Sequence, residues 1–171
     1  MTGSSCDLQG KSRHRVYDMR KRSGARFARG AVRLALIALL WISMPCTGGS
    51  TWQYVNELKG RDTLLKTQAE RADHKAMWRN VELTARENHA RSGKVAIEWP
   101  KSCTDWSAPR VGRLAHDLGL QKVECHGCAF GLRNAAGALR KKPWIIATNS
   151  FEMFKEMINY KCSGDHDHAP T

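Results

Sequence analysis

No apolar run in the 171 residues approaches the roughly 20 residues that an ordinary membrane-spanning helix needs; the longest, Ala31 to Met44, stops at Pro45. Internal repeats are missing, which excludes solenoid and propeller arrays. Acidic side chains are scarce, 16 Asp plus Glu against 28 Lys plus Arg, for a net charge of +12. The basic excess suits a polyanionic partner or a merely solvated arm alike. The six cysteines, at positions 6, 46, 103, 125, 128 and 162, are scattered apart from one close pair. That spacing argues against a disulfide framework and for free thiols or a metal, as in an intracellular chain, nuclear location included.

What is present is a modest core, with 42% hydrophobic residues, and a lopsided charge. Residues 1–33 hold nine basic residues against Asp7 and Asp18, in a Ser-, Gly- and Arg-rich stretch of little periodicity. This reads as a disordered basic arm, suited to phosphate backbones or to anionic lipid. Residues 34–162 read as one domain, and residues 163–171 as a polar, His-rich tail.

The run Ala31 to Met44 follows basic residues and resembles the charged and apolar parts of a signal peptide. Pro45-Cys46-Thr47-Gly48-Gly49-Ser50 lacks the small-x-small pattern of a cleavage site. A buried strand over Leu36 to Met44 is the main reading, and a secreted or membrane-anchored chain the alternative. A long helix is expected from Asp62 to about Arg91, with Leu65, Ala69, Ala72 and Ala76 as its apolar stripe. Strands are expected at Lys94–Trp99, Gln121–Glu124 and Trp144–Thr148. Ser107 is expected to cap a helix carrying Val111, Leu114 and Leu118, and Asn149 with Glu152 to open one to about Tyr160. Strand and helix alternate, which predicts an α/β fold: a partial doubly wound, mostly parallel sheet with crossover helices. Ligands of such sheets bind beyond the carboxyl ends of the strands.

Three motifs fall there: Pro45-Cys46 with Ser50, Glu98 in Val95-Ala96-Ile97-Glu98-Trp99, and Phe130-Gly131 followed by Arg140-Lys141-Lys142-Pro143-Trp144. Their order and spacing resemble the cytosine-5 DNA methyltransferase family, an S-adenosylmethionine-dependent class, with Thr47 where that family has Gln. The wider set, including Asp165-His166-Asp167-His168, resembles a group of uncharacterised retroelement-associated proteins that are methyltransferase-like. The resemblance implies Cys46 as nucleophile, Glu98 as its partner on a flipped base and Ser50 in the same loop. It also implies S-adenosylmethionine as methyl donor. Residues 1–34 carry no Gly-rich turn after a strand to hold that donor. The expectation is therefore a truncated domain, inactive alone or completed by a partner chain. The competing expectation is a non-catalytic nucleic-acid-binding module from a mobile element, using the basic arm with Arg140, Lys141 and Lys142.

Cys125-His126-Gly127-Cys128, with Cys162, His166 and His168 further on, has the donor types of a tetrahedral zinc site. Cys125, Cys128, Cys162 and His166 are the candidate ligands, against a plainer reading as core thiols and a frayed tail. Trp52, Trp78, Trp99, Trp106 and Trp144 read as core and interface aromatics.

Overall fold

The computed structural model describes residues 18–35, 38–46 and 60–169; Ser50 and Trp52 lie outside them. In chain order the elements are α1 (Arg22–Leu34), β1 (Leu39–Ile42), α2 (Arg61–Ala90), β2 (Lys94–Pro100), α3 (Pro109–Asp117), β3 (Gln121–His126), β4 (Pro143–Thr148) and α4 (Phe151–Met157). Short 3-10 turns occupy Thr104–Ser107 and Gly127–Phe130.

The class is α/β, but the sheet is mixed rather than mostly parallel. Its order is β1-β2-β4-β3, with β1 parallel to β2 and β4 antiparallel to both of its neighbours. The reason lies between β3 and β4, where a 3-10 turn and a loop stand in place of a crossover helix. Without a helix to carry the chain back to the starting edge, β4 returns beside β3 in the opposite direction.

Two apolar clusters flank the sheet. Val95, Ile97 and Trp99 of β2 join Met77, Trp78, Val81 and Ala85 of α2 and Val111 and Leu114 of α3. Ala96, Val123, Cys125 and Ile146 form the second, covered by Met153, Phe154 and Met157 of α4. Strand alternation assigns β2 residues to the two faces, and both are covered, so its burial is nearly continuous.

The apolar stripe expected on α2 is rotated. Leu65 is 55% exposed, and Ala69, Ala72 and Ala76 are exposed as well. The buried stripe runs instead through Thr67, His74, Trp78, Val81, Ala85 and Asn88, and its polar members hide it from an apolar count. Asn88 explains its own burial: its Nδ2 donates to Ala38 O at 3.2 Å and to Lys94 O at 2.8 Å. One amide thus joins the end of α2 to the starts of β1 and β2. His74 lies 3.4 Å from Asp105, which pairs with Arg110 at 2.7 Å.

Residues 22–33 are not a disordered arm but helix α1, packed on α2. Glu87 of α2 pairs with both Arg29 and Arg33, Asp73 pairs with Arg20 at 2.7 Å, and Asn80 Nδ2 donates to Met19 O. The arginines that resembled a solvated arm are spaced so that some meet α2 carboxylates, a tertiary pairing that local composition does not reveal. The run Ala31 to Met44 is split accordingly between the end of α1 and β1. Among the described residues, no helix is long and apolar enough to cross a membrane.

Two caps also differ from expectation. Ala108, not Ser107, precedes α3, which starts on Pro109 without a side-chain cap. Ser150 caps α4 through a bond from Met153 N, and α4 ends at Met157. Asn149 instead accepts Val95 N at 2.8 Å, tying β2 to the end of β4.

Candidate metal centre

The end of β3 decides which cysteines meet. Val123 and Cys125 share one strand face and are buried in the second cluster. Burial pushes the Cys125 thiol up to about 11. Cys128 lies beyond the strand, in the 3-10 turn, after the chain has changed direction at Gly127. A Cβ on Gly127 would lie 2.7 Å from Leu132 Cδ2 and 3.0 Å from Arg140 O. Glycine there lets the basic segment approach the turn.

The tail supplies the other donors. Cys128, Cys162, His166 and His168 bring their ligand atoms within 4.8 Å of one another. Cys162 Sγ is 3.7 Å from His166 Nε2 and 3.4 Å from His168 Nε2. With Zn–S bonds of about 2.3 Å and Zn–N bonds of about 2.0 Å, tetrahedral donors sit roughly 3.3–3.8 Å apart. Both separations fall in that interval, so the set can hold a metal ion. Cys125, expected as a ligand, is not one of the four. His168 takes its place, because the strand's two-residue period turns Cys125 inward while the tail brings both histidines to Cys162.

Surrounding bonds orient the donors. His166 Nδ1 lies 2.7 Å from Asp165 Oδ1, which also accepts from Ser163 Oγ at 2.5 Å. A carboxylate on Nδ1 leaves Nε2 as the metal-facing nitrogen. Cys162 N donates to His126 Nδ1 at 2.9 Å, so the His126 proton sits on Nε2, 3.1 Å from Glu124 Oε1. Between Cys128 and Cys162, burial first and then the neighbouring thiol push the Cys128 thiol up. A cation removes that penalty by favouring both thiolates.

The same centre frames the basic segment. Residues Leu132 to Arg140 form a small hairpin, closed by the Arg133–Leu139 bridge and Arg140 N donating to Leu132 O. Its return limb is bonded to both ligand-bearing pieces: Gly127 N donates to Lys141 O at 2.6 Å, and Ala169 N to Leu139 O at 2.7 Å. Lys141 and Lys142 are exposed and Arg140 is half-buried. Lys142 takes a φ of +23°, a strained position for a residue with a Cβ. Its Nζ sits 5.2 Å over the Trp144 ring. Phe130, 44% exposed, stacks on Tyr160 at 4.3 Å.

The remaining expected site residues do not converge here. Cys46 is half-buried against the α2-side cluster. Glu98 alternates with Ile97 and Trp99, so its side chain lies on the other face of β2. There its Oε2 accepts from Ser43 Oγ at 2.6 Å. The five described cysteines are all free thiols.

Comparison with protein-family models, with curated proteins and with solved structures returned no match. The chemistry of the chain therefore rests on its own geometry.

Proposed function

We propose that this chain is a zinc-stapled nucleic-acid-binding module, in which Zn²⁺ on Cys128, Cys162, His166 and His168 holds the Arg140–Lys142 segment against the sheet. The observation that carries the reading is the four-donor set within 4.8 Å. Two thiolates balance the ion's charge, so a filled site leaves the basic segment's positive charge undiminished. Four protein ligands leave no open coordination position for substrate, which makes the ion structural. Zinc on the tail and on the turn after β3 would stabilise the fold by closing the loop between them.

The basic segment is the part of this surface that meets a partner. Exposed Lys141 and Lys142 suit phosphate contacts, which are sequence-independent and weaken steeply with salt. The reading does not use Cys46 and Glu98 as a catalytic pair, since they lie on opposite sides of β2.

Metal content of the full chain tests the first half: one zinc per chain is expected, retained by Cys125→Ala and lost in His168→Ala. Loss in Cys125→Ala with retention in His168→Ala would overturn the ligand assignment. Anisotropy of a labelled oligonucleotide across a salt series tests the second half. Binding that is unchanged in the Lys141→Glu, Lys142→Glu double variant would remove that segment from the interface.

A further inference from the structure

A second cationic feature lies away from the metal, where α1 packs on α2. The two helices enclose a cleft of about 540 Å³ whose lining includes Arg22, Arg26 and Arg29 from α1 and Arg79 from α2. Residues 22, 26 and 29 follow the i, i+4, i+7 spacing that puts side chains on one helical face. Ala25, buried, and Leu83, exposed, are the apolar members of the lining, along which the arginine stems can lie.

The neighbouring arginines are neutralised, whereas most of these are not. Arg20 pairs with Asp18 and Asp73, and Arg29 and Arg33 share Glu87. Arg22, Arg26 and Arg79 have no carboxylate partner among the described residues, and all three are exposed. Like charges one turn apart repel, so such an arrangement is unfavourable until an anion enters. Guanidinium forks match phosphate oxygens in a planar, bidentate way that a carboxylate-free cleft leaves available.

We propose that the cleft between α1 and α2 is a second phosphate-binding site, taking the backbone of a nucleic acid. The proposal rests on the nucleic-acid reading above for the source of the phosphates and on the cleft alone for their binding. Length favours a polymer: from Arg22 to Arg29 the helix rises about 10 Å, the axial advance of about three nucleotides of a duplex strand at roughly 3.4 Å each. A lipid surface is disfavoured because Leu83, 47% exposed, is the single large apolar side chain of the lining and Ala25 is only 7% exposed. Membrane-binding helices instead present an apolar face outward for insertion.

The experiment is a salt-dependent anisotropy titration of the full, zinc-loaded chain with labelled single-stranded and duplex oligonucleotides. The Arg26→Glu, Arg79→Glu double variant is expected to lose at least tenfold in affinity at low salt. The slope of log K against log salt should become shallower by about two, one for each lost phosphate contact. A charge-matched reversal elsewhere, Arg113→Glu with Lys155→Glu, should lose much less. Arg26→Gln with Arg79→Gln guards against misfolding: it should keep or raise the melting temperature, because repulsion is relieved, while still weakening binding.

Equal losses in the cleft and control variants, or none in the cleft variants, would overturn the cleft site, and the Lys141, Lys142 interface would stand or fall on its own variant. If the wild-type chain binds vesicles of 70% phosphatidylcholine and 30% phosphatidylserine but neither oligonucleotide, the nucleic-acid source is overturned. Competition by micromolar inorganic pyrophosphate that is lost with Arg26 and Arg79 would assign the cleft to small phosphates and likewise overturn the polymer.

Discussion

Cys162 and His168, six residues apart in the tail, face one another at 3.4 Å between Sγ and Nε2. The five intervening residues turn through a bend at Gly164, which takes a φ of +82°. That bend brings both histidines to a single sulfur. Their convergence, with Cys128 from the turn after β3, makes Cys162 and the two histidines three of the four donors.

Asp165 should matter to metal affinity without touching the metal. Its bond to His166 Nδ1 at 2.7 Å fixes the ring, and loss of such outer partners weakens metal sites about 10- to 100-fold. Asp165→Asn is expected to fall in that range in a chelator competition. An unchanged affinity would show that His166 does not bind through Nε2.

Zinc uptake should release protons and weaken in acid. The Cys128 thiol lies above its ordinary value in the metal-free protein because of burial and Cys162, and both thiols must ionise to bind. Titrating metal into weakly buffered protein should acidify the solution. Affinity should drop as the pH falls, because protons compete with the ion for all four donors.

His74 predicts a separate pH effect on stability. Burial lowers its pKa, against the pull of Asp105 and with help from Arg110. A histidine depressed in the folded state is protonated more readily when unfolded. Its effect is therefore absent above the unfolded value of about 6.5 and grows as destabilisation when the pH falls below it. The drop in melting temperature between pH 7.5 and pH 5.5 should shrink in His74→Gln. An equal drop in both proteins would assign the acid sensitivity elsewhere.

Thiol labelling separates the cysteines by environment. Burial pushes Cys103 up to about 12 and Cys125 up to about 11. Both should resist maleimide in the native chain with or without chelator. Cys162, half-buried, should become reactive when chelator removes the metal, and protection that survives chelation would argue against ligation.

Asn88 and Gly93 form a coupled pair. Removing the buried Asn88 amide takes a donor from Lys94 O and leaves Ala38 O with Lys94 N alone, so Asn88→Ala should cost about 2–3 kcal/mol by urea unfolding. A Cβ on Gly93 would sit 2.3 Å from Asn88 Oδ1, so Gly93→Ala also destabilises. Because the clash is with that same amide, the double variant should cost less than the two losses added together. Strict additivity would place the Gly93 penalty in the backbone instead.

Much of the architecture was legible in order along the chain. Pro100 marked the end of β2, and the α2 boundaries lie within one residue of those read from composition, because both signals are local. The apolar run Leu36 to Met44 placed β1 but not its burial: the strand is Leu39–Ile42 at the sheet edge, with Leu39 and Trp41 exposed. The mixed sheet could be inferred only by noticing that the β3–β4 connection has no helical period. The buried face of α2 could not be read from apolar spacing, since Thr67, His74 and Asn88 occupy it and polar burial depends on partners from distant strands.

The sequence by itself determined the donor types, Cys-x-x-Cys and Cys-x-x-x-His-x-His, and the excess of arginine near the start. Tertiary structure alone decided their use. Strand alternation buries Cys125 and the tail's return substitutes His168, while packing α1 on α2 neutralises Arg29 and leaves Arg22, Arg26 and Arg79 around one cleft. Spacing along a chain sets which faces side chains can share, but only the folded path sets which faces meet.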